Sequence, residues 1–252
     1  MERTVLITGI RRIGREVALD LLKNGWNVAV VYKNSQKAVE DLGRFAKELG
    51  RRLLPVEGDL SNPSTYARVV DTAYGELGRL DAFIHLASPY EKMAPEEVRP
   101  EDFDKNMRVI AQSFFFLSVV SRRYMLLNEG EVKGRIIAFG DWAVENTPYR
   151  GYPQYFIAKG ALHTAVRVLA KEFAPDILVN CIAPGPVLRP EEIDEEKWKG
   201  LLSRTPLKRE VPLSDVVDAT RLLLRTSSIT GEILKVDSGR HIAGSGMSGV
   251  EG

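Results

Sequence analysis

Apolar positions along the chain alternate between two patterns, short continuous runs and longer stretches with helical spacing. The runs are Thr4-Val-Leu-Ile-Thr8, Trp26 to Val31, Arg52 to Val56, Asp81 to Leu86, Arg135 to Phe139, Ile177 to Ala183 and Glu232 to Val236. Each has the length and turn-forming borders of a buried strand. Between them lie predicted helices. Gly14 to Lys23 turns Val17, Ala18, Leu21 and Leu22 inward and ends at Asn24-Gly25. Gln36 to Leu49 is a second helix. A third is predicted to open at Ser61-Asn-Pro63, with a cap and a first-turn proline. Asp102 to Leu127 reads as one long helix, unusually apolar at Phe114-Phe-Phe-Leu117. Another carries Tyr155, with Ala158, Leu162, Ala165, Val166 and Leu169 at helical spacing, and Ser214 to Arg225 is the last.

Seven strands separated by helices predict an α/β, doubly wound Rossmann-type domain. Its sheet is parallel and seven-stranded, with helices on both faces. Ligands of such a sheet bind outside the carboxyl ends of its strands. We assign residues 1–243 to this domain and 244–252, rich in Gly and Ser, to a flexible tail. The Pro-rich and charged segment at about 187–212 is expected to form a loop over the substrate.

Composition narrows the classes. Hydrophobic residues make up 44% and charged residues 27%, and 35 basic against 34 acidic residues give a net charge of +1. That balance argues against nucleic acid or an anionic membrane as partner. No run approaches membrane-spanning length, and Val5-Leu-Ile7 is too short for a signal-peptide core, so a cytoplasmic protein is expected. The single cysteine, Cys181, lies in an apolar run and reads as an inert buried thiol. No metal is expected.

The candidate chemistry centres on Tyr155 and Lys159, one helical turn apart. An ammonium beside a phenol favours phenolate, so the tyrosine pKa is expected to fall below about 10. Such a tyrosine can pass a proton to an oxygen or nitrogen during a hydride transfer. The alternative is a surface pair without chemistry. Thr8-Gly-Ile-Arg-Arg-Ile-Gly14 follows the first strand and opens a helix. Gly9, Arg12, Ile13 and Gly14 would therefore present backbone N–H groups and a positive dipole end to a phosphate. A tight turn without a ligand would use the same glycines. After the second strand, Tyr32-Lys33-Asn34-Ser35 contains no carboxylate to hold ribose hydroxyls. Arg12, Lys33, Asn34 and Ser35 are donors suited to a 2′-phosphate, which favours NADPH over a merely solvated basic loop. His85 is read as a strand-end residue near the cofactor, with a proton donor as the alternative.

Together these residues resemble the short-chain dehydrogenase/reductase family. The likeness rests on Thr8-Gly9 and Gly14, Asp59, Asn106, Tyr155 and Lys159, Asn180, Pro184-Gly185-Pro186, Thr230-Gly231 and Asp237. It implies that Tyr155 is the general acid and that Lys159 tunes it and holds the ribose. Asn106 would order a relay water. It also implies NADP(H) contacts from Asp59, Leu60, Ala87, Pro184, Gly185 and Val187, and a homo-oligomer, tetrameric or dimeric. Two departures are similar to the pteridine reductase branch. Arginine stands for a turn glycine, and Asp141 for the serine after strand five. In that branch the aspartate pairs with the tyrosine, and an aromatic ring at the place of Tyr90 sandwiches the pterin. Ser88 and Tyr90 join Asp141 and Tyr155 as substrate residues. Asp141 is alternatively an unpaired structural residue that caps the Trp142 loop. The expected activity is reduction of a pterin-like or small conjugated C=N or C=O substrate. A 3-oxoacyl-carrier-protein or general carbonyl reductase is the second reading, and a non-catalytic NADPH-sensing regulator the third.

Overall fold

The computed structural model describes residues 2–145, 147–189 and 193–243. Its core is one seven-stranded sheet of order β3-β2-β1-β4-β5-β6-β7, in which every neighbouring pair is parallel. The strands are β1 (Thr4–Thr8), β2 (Asn27–Tyr32), β3 (Leu53–Glu57), β4 (Ala82–His85), β5 (Gly134–Phe139), β6 (Ile177–Pro184) and β7 (Ile233–Val236). This is the predicted doubly wound Rossmann-like architecture. Boundaries differ from the sequence reading by a residue or two, as expected where apolar runs overhang the hydrogen-bonded ladder.

Two-sided burial explains why the strands are apolar without interruption. Side chains alternate across the sheet. Leu6, Ile136 and Ala138 enter a core on one face, and Val5, Ile7, Ile137 and Phe139 a second core on the other. The first core is closed by α3 (Thr65–Leu77), α5 (Ser113–Met125) and α6 (Pro153–Phe173), together with Ile110 of the segment that follows α4 (Pro100–Asn106). The second is closed by α1 (Ile13–Lys23), α2 (Gln36–Glu48) and α8 (Leu213–Arg225), the last α-helix among the described residues. Each fully buried Leu, Ile or Phe contributes about 1.5–3 kcal/mol from its removed surface, so the cores dominate stability.

Three sequence expectations are corrected. The long helix is not continuous, because Met107–Gln112 is π-helical and separates α4 from α5. Apolar periodicity does not reveal such a widening, which shifts the register of one turn. The third helix does not start at Ser61. Ser61 N–H and Oγ instead bond Asp59 Oδ1, and Asn62 Oδ1 accepts the Ser64 N–H at 3.1 Å, one residue ahead of α3. The segment 187–212 is not a plain loop, since α7 (Glu195–Leu202) lies within it, its first N–H groups capped by Asp194. Trp198 is the buried anchor of α7, its Nε1 donating to Glu210 at 3.3 Å. The expected tail, 244–252, lies outside the described residues.

Candidate active site

The predicted site residues gather at the carboxyl edge of the sheet, because parallel strands deliver all their exits to one side. β1 exits at Gly9, whose φ of +78° suits glycine and whose position leaves no room for a side chain. A Cβ there would stand 2.5 Å from the Ala87 nitrogen, so the β1 and β4 exits pack backbone to backbone. Below them Thr8 Oγ1 and His85 Nδ1 are 2.8 Å apart, joining β1 to β4. Burial lowers the His85 pKa to about 3 and Lys159 adds to the effect, so the ring is neutral and structural.

Ile13 and Gly14 open α1. Arg12, at φ +48°, reaches across the edge and donates to the Leu188 carbonyl at 2.6 Å. At the β2 exit Tyr32 is half-buried, Lys33 and Asn34 are exposed, and Ser35 precedes α2. Lys33 Nζ lies 2.6 Å from Asp59 Oδ2 and so pairs with the carboxylate that follows β3. Burial raises the Asp59 pKa, but Lys33 and Ser61 outweigh it and hold the carboxyl at about 2. Leu60 is buried beside it, and Ala87 N–H points to Thr8 Oγ1 at 3.4 Å. Pro184 ends β6, Gly185 N–H bonds Val236, and Val187 is buried. Lys33, Asn34 and Ser35, beside a helix N-terminus, supply donors that fit a phosphorylated dinucleotide. The Arg12 guanidinium is engaged at Leu188 and is not brought together with them.

The chemical end of the edge is buried. α6 presents Tyr155, Lys159 and His163 on one face, one turn apart each, toward the exit of β5. Asp141, 8% exposed, stands there and uses its two oxygens differently. Oδ1 accepts the Ala143 N–H at 2.8 Å, and Oδ2 accepts the Tyr155 hydroxyl at 2.9 Å. The carboxyl thus caps the Trp142 loop and meets the Tyr155 hydroxyl as well, so it is not unpaired. Lys159 donates to the Phe139 carbonyl at 2.6 Å, with Nζ 5.6 Å from the Tyr155 ring centre. Asn106, 1% exposed, ends α4 just before the π-helical turn. Its Nδ2 donates to Asp102, while Oδ1 finds no partner among the described residues. An orphaned buried acceptor is costly unless water meets it.

The expected fall in the tyrosine pKa is overturned. Burial and then the Asp141 carboxylate push Tyr155 well above the ordinary phenol value. Sequence spacing placed the ammonium beside the phenol but could not show a closer anion across the fold. Burial raises Asp141 as well, against the opposing pull of Ala143 N–H, Tyr155, Lys159 and Tyr149. Burial lowers Lys159 to about 8. Burial thus works against the charged form of each group in the cluster.

Several neighbours were not foreseen. His163 Nε2 accepts the Asp141 N–H at 3.4 Å, filling the space left by Gly140, where a Cβ would stand 2.1 Å from that nitrogen. Burial lowers the His163 pKa to about 4. Cys181 is buried nearby and pushed up to about 12 by burial, an inert thiol. Tyr90, 48% exposed, stacks on Tyr152 with centroids 4.4 Å apart and meets the edge of Tyr155 at 5.0 Å. Its hydroxyl is 2.9 Å from that of Tyr149. Tyr149 and Tyr152 left one signal in the sequence: three of the eight tyrosines fall within residues 149–155. Ser88 Oγ turns to its neighbour Pro89 O at 3.3 Å.

A family model described as "Enoyl-(Acyl carrier protein) reductase" matches residues 9–241. A dihydromonapterin reductase of Enterobacter sp. (strain 638) is 30% identical, covering 95% of this chain and 97% of that protein. A 3-oxoacyl-[acyl-carrier-protein] reductase FabG of Buchnera aphidicola is 27% identical over 96% of this chain and 98% of its own. The FolM alternative dihydrofolate reductase 1 of Brucella canis, solved with NADP, superposes at a TM-score of 0.88. It is 28% identical, with 99% of this chain and 98% of that chain covered. Among the described residues no helix is long and apolar enough to cross a membrane. By the extent of the family match and the Tyr155, Lys159 and Asn106 constellation on a seven-stranded parallel sheet, the chain belongs to the short-chain dehydrogenase/reductase oxidoreductases.

Proposed function

We propose that this enzyme uses NADPH to reduce a pterin-like or other small conjugated C=N or C=O substrate. The observation that carries the reading is the 2.9 Å bond from Tyr155 to Asp141 Oδ2, a carboxyl where the family has a serine hydroxyl. A hydroxyl serves a ketone oxygen by donating to it. An ionised carboxylate only accepts, and so suits the ring N–H and amino groups of a pterin. Its raised pKa also lets Asp141 hold a proton for a ring nitrogen. A dihydromonapterin reductase and an NADP-bound FolM among the relatives support this choice.

The cofactor supplies a hydride. Lys33, Asn34 and Ser35 receive its phosphate-bearing end, with Asp59, Leu60 and Ala87 around the adenosine and Pro184, Gly185 and Val187 at the far end. Lys33 leaves its pair with Asp59 when a phosphate offers the larger charge. Tyr155 gives its proton to the nitrogen or oxygen of the double bond whose carbon accepts the hydride. Lys159 holds the ribose, and the free Oδ1 of Asn106 orders water beside them. Tyr90 offers its ring to a flat substrate, with Ser88 at the rim. The domain spans 1–243 and works as a homo-oligomer in the cytoplasm.

The test follows NADPH oxidation against dihydropterins, dihydrofolate, quinones and β-ketoacyl thioesters. Dihydropterin reduction should dominate, Asp141→Asn should nearly abolish it, and Asp141→Ser should shift preference toward simple ketones. Thioester reduction that dominates and ignores Asp141 would replace this reading with a carbonyl reductase.

A further inference from the structure

Asp141 Oδ2 is shared by two phenols. Tyr155 donates to it at 2.9 Å from the buried side, and Tyr149 donates at 3.4 Å from the side nearer solvent. The Tyr149 hydroxyl is in turn 2.9 Å from that of Tyr90. Exposure rises along this row, from Tyr155 at 6% and Asp141 at 8%, through half-buried Tyr149, to Tyr90 at 48%. Ring packing fixes the hydroxyls in place. Tyr149 meets Tyr152 and Phe156 edge-on, at centroid distances of 5.4 and 4.6 Å, and Tyr90 stacks on Tyr152. Four oxygens thus run from solvent to the reacting proton with no basic side chain among them. The titratable groups around the inner end are Lys159 and His163 of α6 and Cys181 of β6.

We propose that Tyr90 and Tyr149 form a proton path that reloads Tyr155 through Asp141 after each reduction, separate from any route by way of Lys159 and Asn106. The proposal rests on the reading of Tyr155 as proton donor. Reduction takes a hydride from NADPH and the Tyr155 proton, leaving a phenolate. The Tyr149 O–H bond breaks as its proton passes to the Asp141 carboxylate. Oδ2 hands a proton on to the Tyr155 phenolate, whose O–H bond forms. Tyr90 gives its own proton to Tyr149, and solvent water or a buffer acid reprotonates Tyr90. One proton enters per turnover and each phenol ends as it began. The hops are concerted, because a phenolate held at Tyr149 would face burial and the Asp141 charge. Tyr149 acts on the reaction only through Asp141 and is a positioning residue.

The experiment uses the full chain with NADPH and a dihydropterin, comparing Tyr149→Phe, Tyr90→Phe, the double variant and Asp141→Asn. Phenylalanine keeps the ring contacts. Tyr149→Phe should leave the first-turnover hydride step intact and KM unchanged. Its kcat should fall by roughly tenfold, below the range for a direct general acid, and the solvent deuterium isotope effect on kcat should grow. Tyr90→Phe should act in the same direction, and the double variant should be no slower than Tyr149→Phe, since both cut one path. A Tyr149→Phe enzyme with normal kcat, or with slowed turnover but an unchanged isotope effect, overturns the path. In that case an impaired Asp141→Asn keeps the reductase reading standing, whereas an indifferent Asp141→Asn removes both.

Discussion

The two halves of the sheet's carboxyl edge handle charge in opposite ways. At the β2 and β3 exits, Lys33 and Asp59 are 59% and 36% exposed in their side chains and form an open ion pair. Water screens such a pair, so its strength is modest and its partners can be exchanged. At the β5 exit, Asp141, Tyr155 and Lys159 are nearly sealed, and each is driven toward its neutral form. A binding end needs charges that a phosphate can recruit, whereas a chemical end needs groups whose proton affinities solvent has not levelled. Burial is the variable that separates them.

That contrast breaks most sharply at Tyr155. Tyr155→Phe keeps the ring and should leave cofactor affinity, measured by fluorescence titration, unaltered while turnover drops by roughly 10²–10⁴. Near-normal turnover would remove the general acid from the mechanism.

Next in size is acid stability. His163 is held neutral, its pKa lowered by burial from 6.5 to about 4. A lowered folded-state value means stabilisation that is complete above pH 6.5 and lost as pH falls toward 4. The loss amounts to as much as about 3 kcal/mol. His85, lowered to about 3, acts with the same sign. Melting temperature followed from pH 7 to 4 should fall less steeply in His163→Gln, and an equal slope would show that another group titrates.

Gly140→Ala comes third. The new methyl would press on His163 Nε2 and, at 2.8 Å, on Cys181 Sγ. We expect a loss of about 1–3 kcal/mol in denaturant unfolding. Turnover should fall too, as Asp141 sits one residue on. An unchanged midpoint would mean that the pocket yields more easily than its packing suggests.

The smallest effect belongs to the open end. Lys33→Glu should narrow the preference for NADPH over NADH by about tenfold or less, since one screened contact is replaced by repulsion. Equal affinity of the unmodified enzyme for both cofactors would refute the donor-set reading of residues 32–35.

The strands were legible because a sheet buried on both faces leaves continuous apolar runs, and Ile136 to Phe139 needs no more context than that. The helix carrying Tyr155 and Lys159 was legible through its spacing. Neighbourhoods assembled from distant segments were not. His163 belongs with Gly140 and Asp141, 22 residues back, and only the packing of α6 on β5 brings them together. The pKa of Tyr155 was misjudged for the same reason. Its lysine is local on the helix, whereas its dominant charged neighbour, Asp141, comes from the strand exit. α7 was missed although Asp194 and Lys197 form a readable helix start, because the prolines and charges around it resemble a loop.

The strand order also bears on how the chain reaches its native state. No two neighbouring strands are joined by a hairpin, since every ladder is parallel and needs a crossover. The central ladder, β1 on β4, joins Thr8 to His85 across 77 residues. On a ribosome, β1, β2 and β3 emerge as a half-sheet whose apolar β1 edge stays bare until β4 arrives. Such long closures slow folding and leave an edge open to other chains. The backbone contact at Gly9 and Ala87 that shapes the turn after β1 is thus also the seam at which a newborn molecule stops being vulnerable to aggregation.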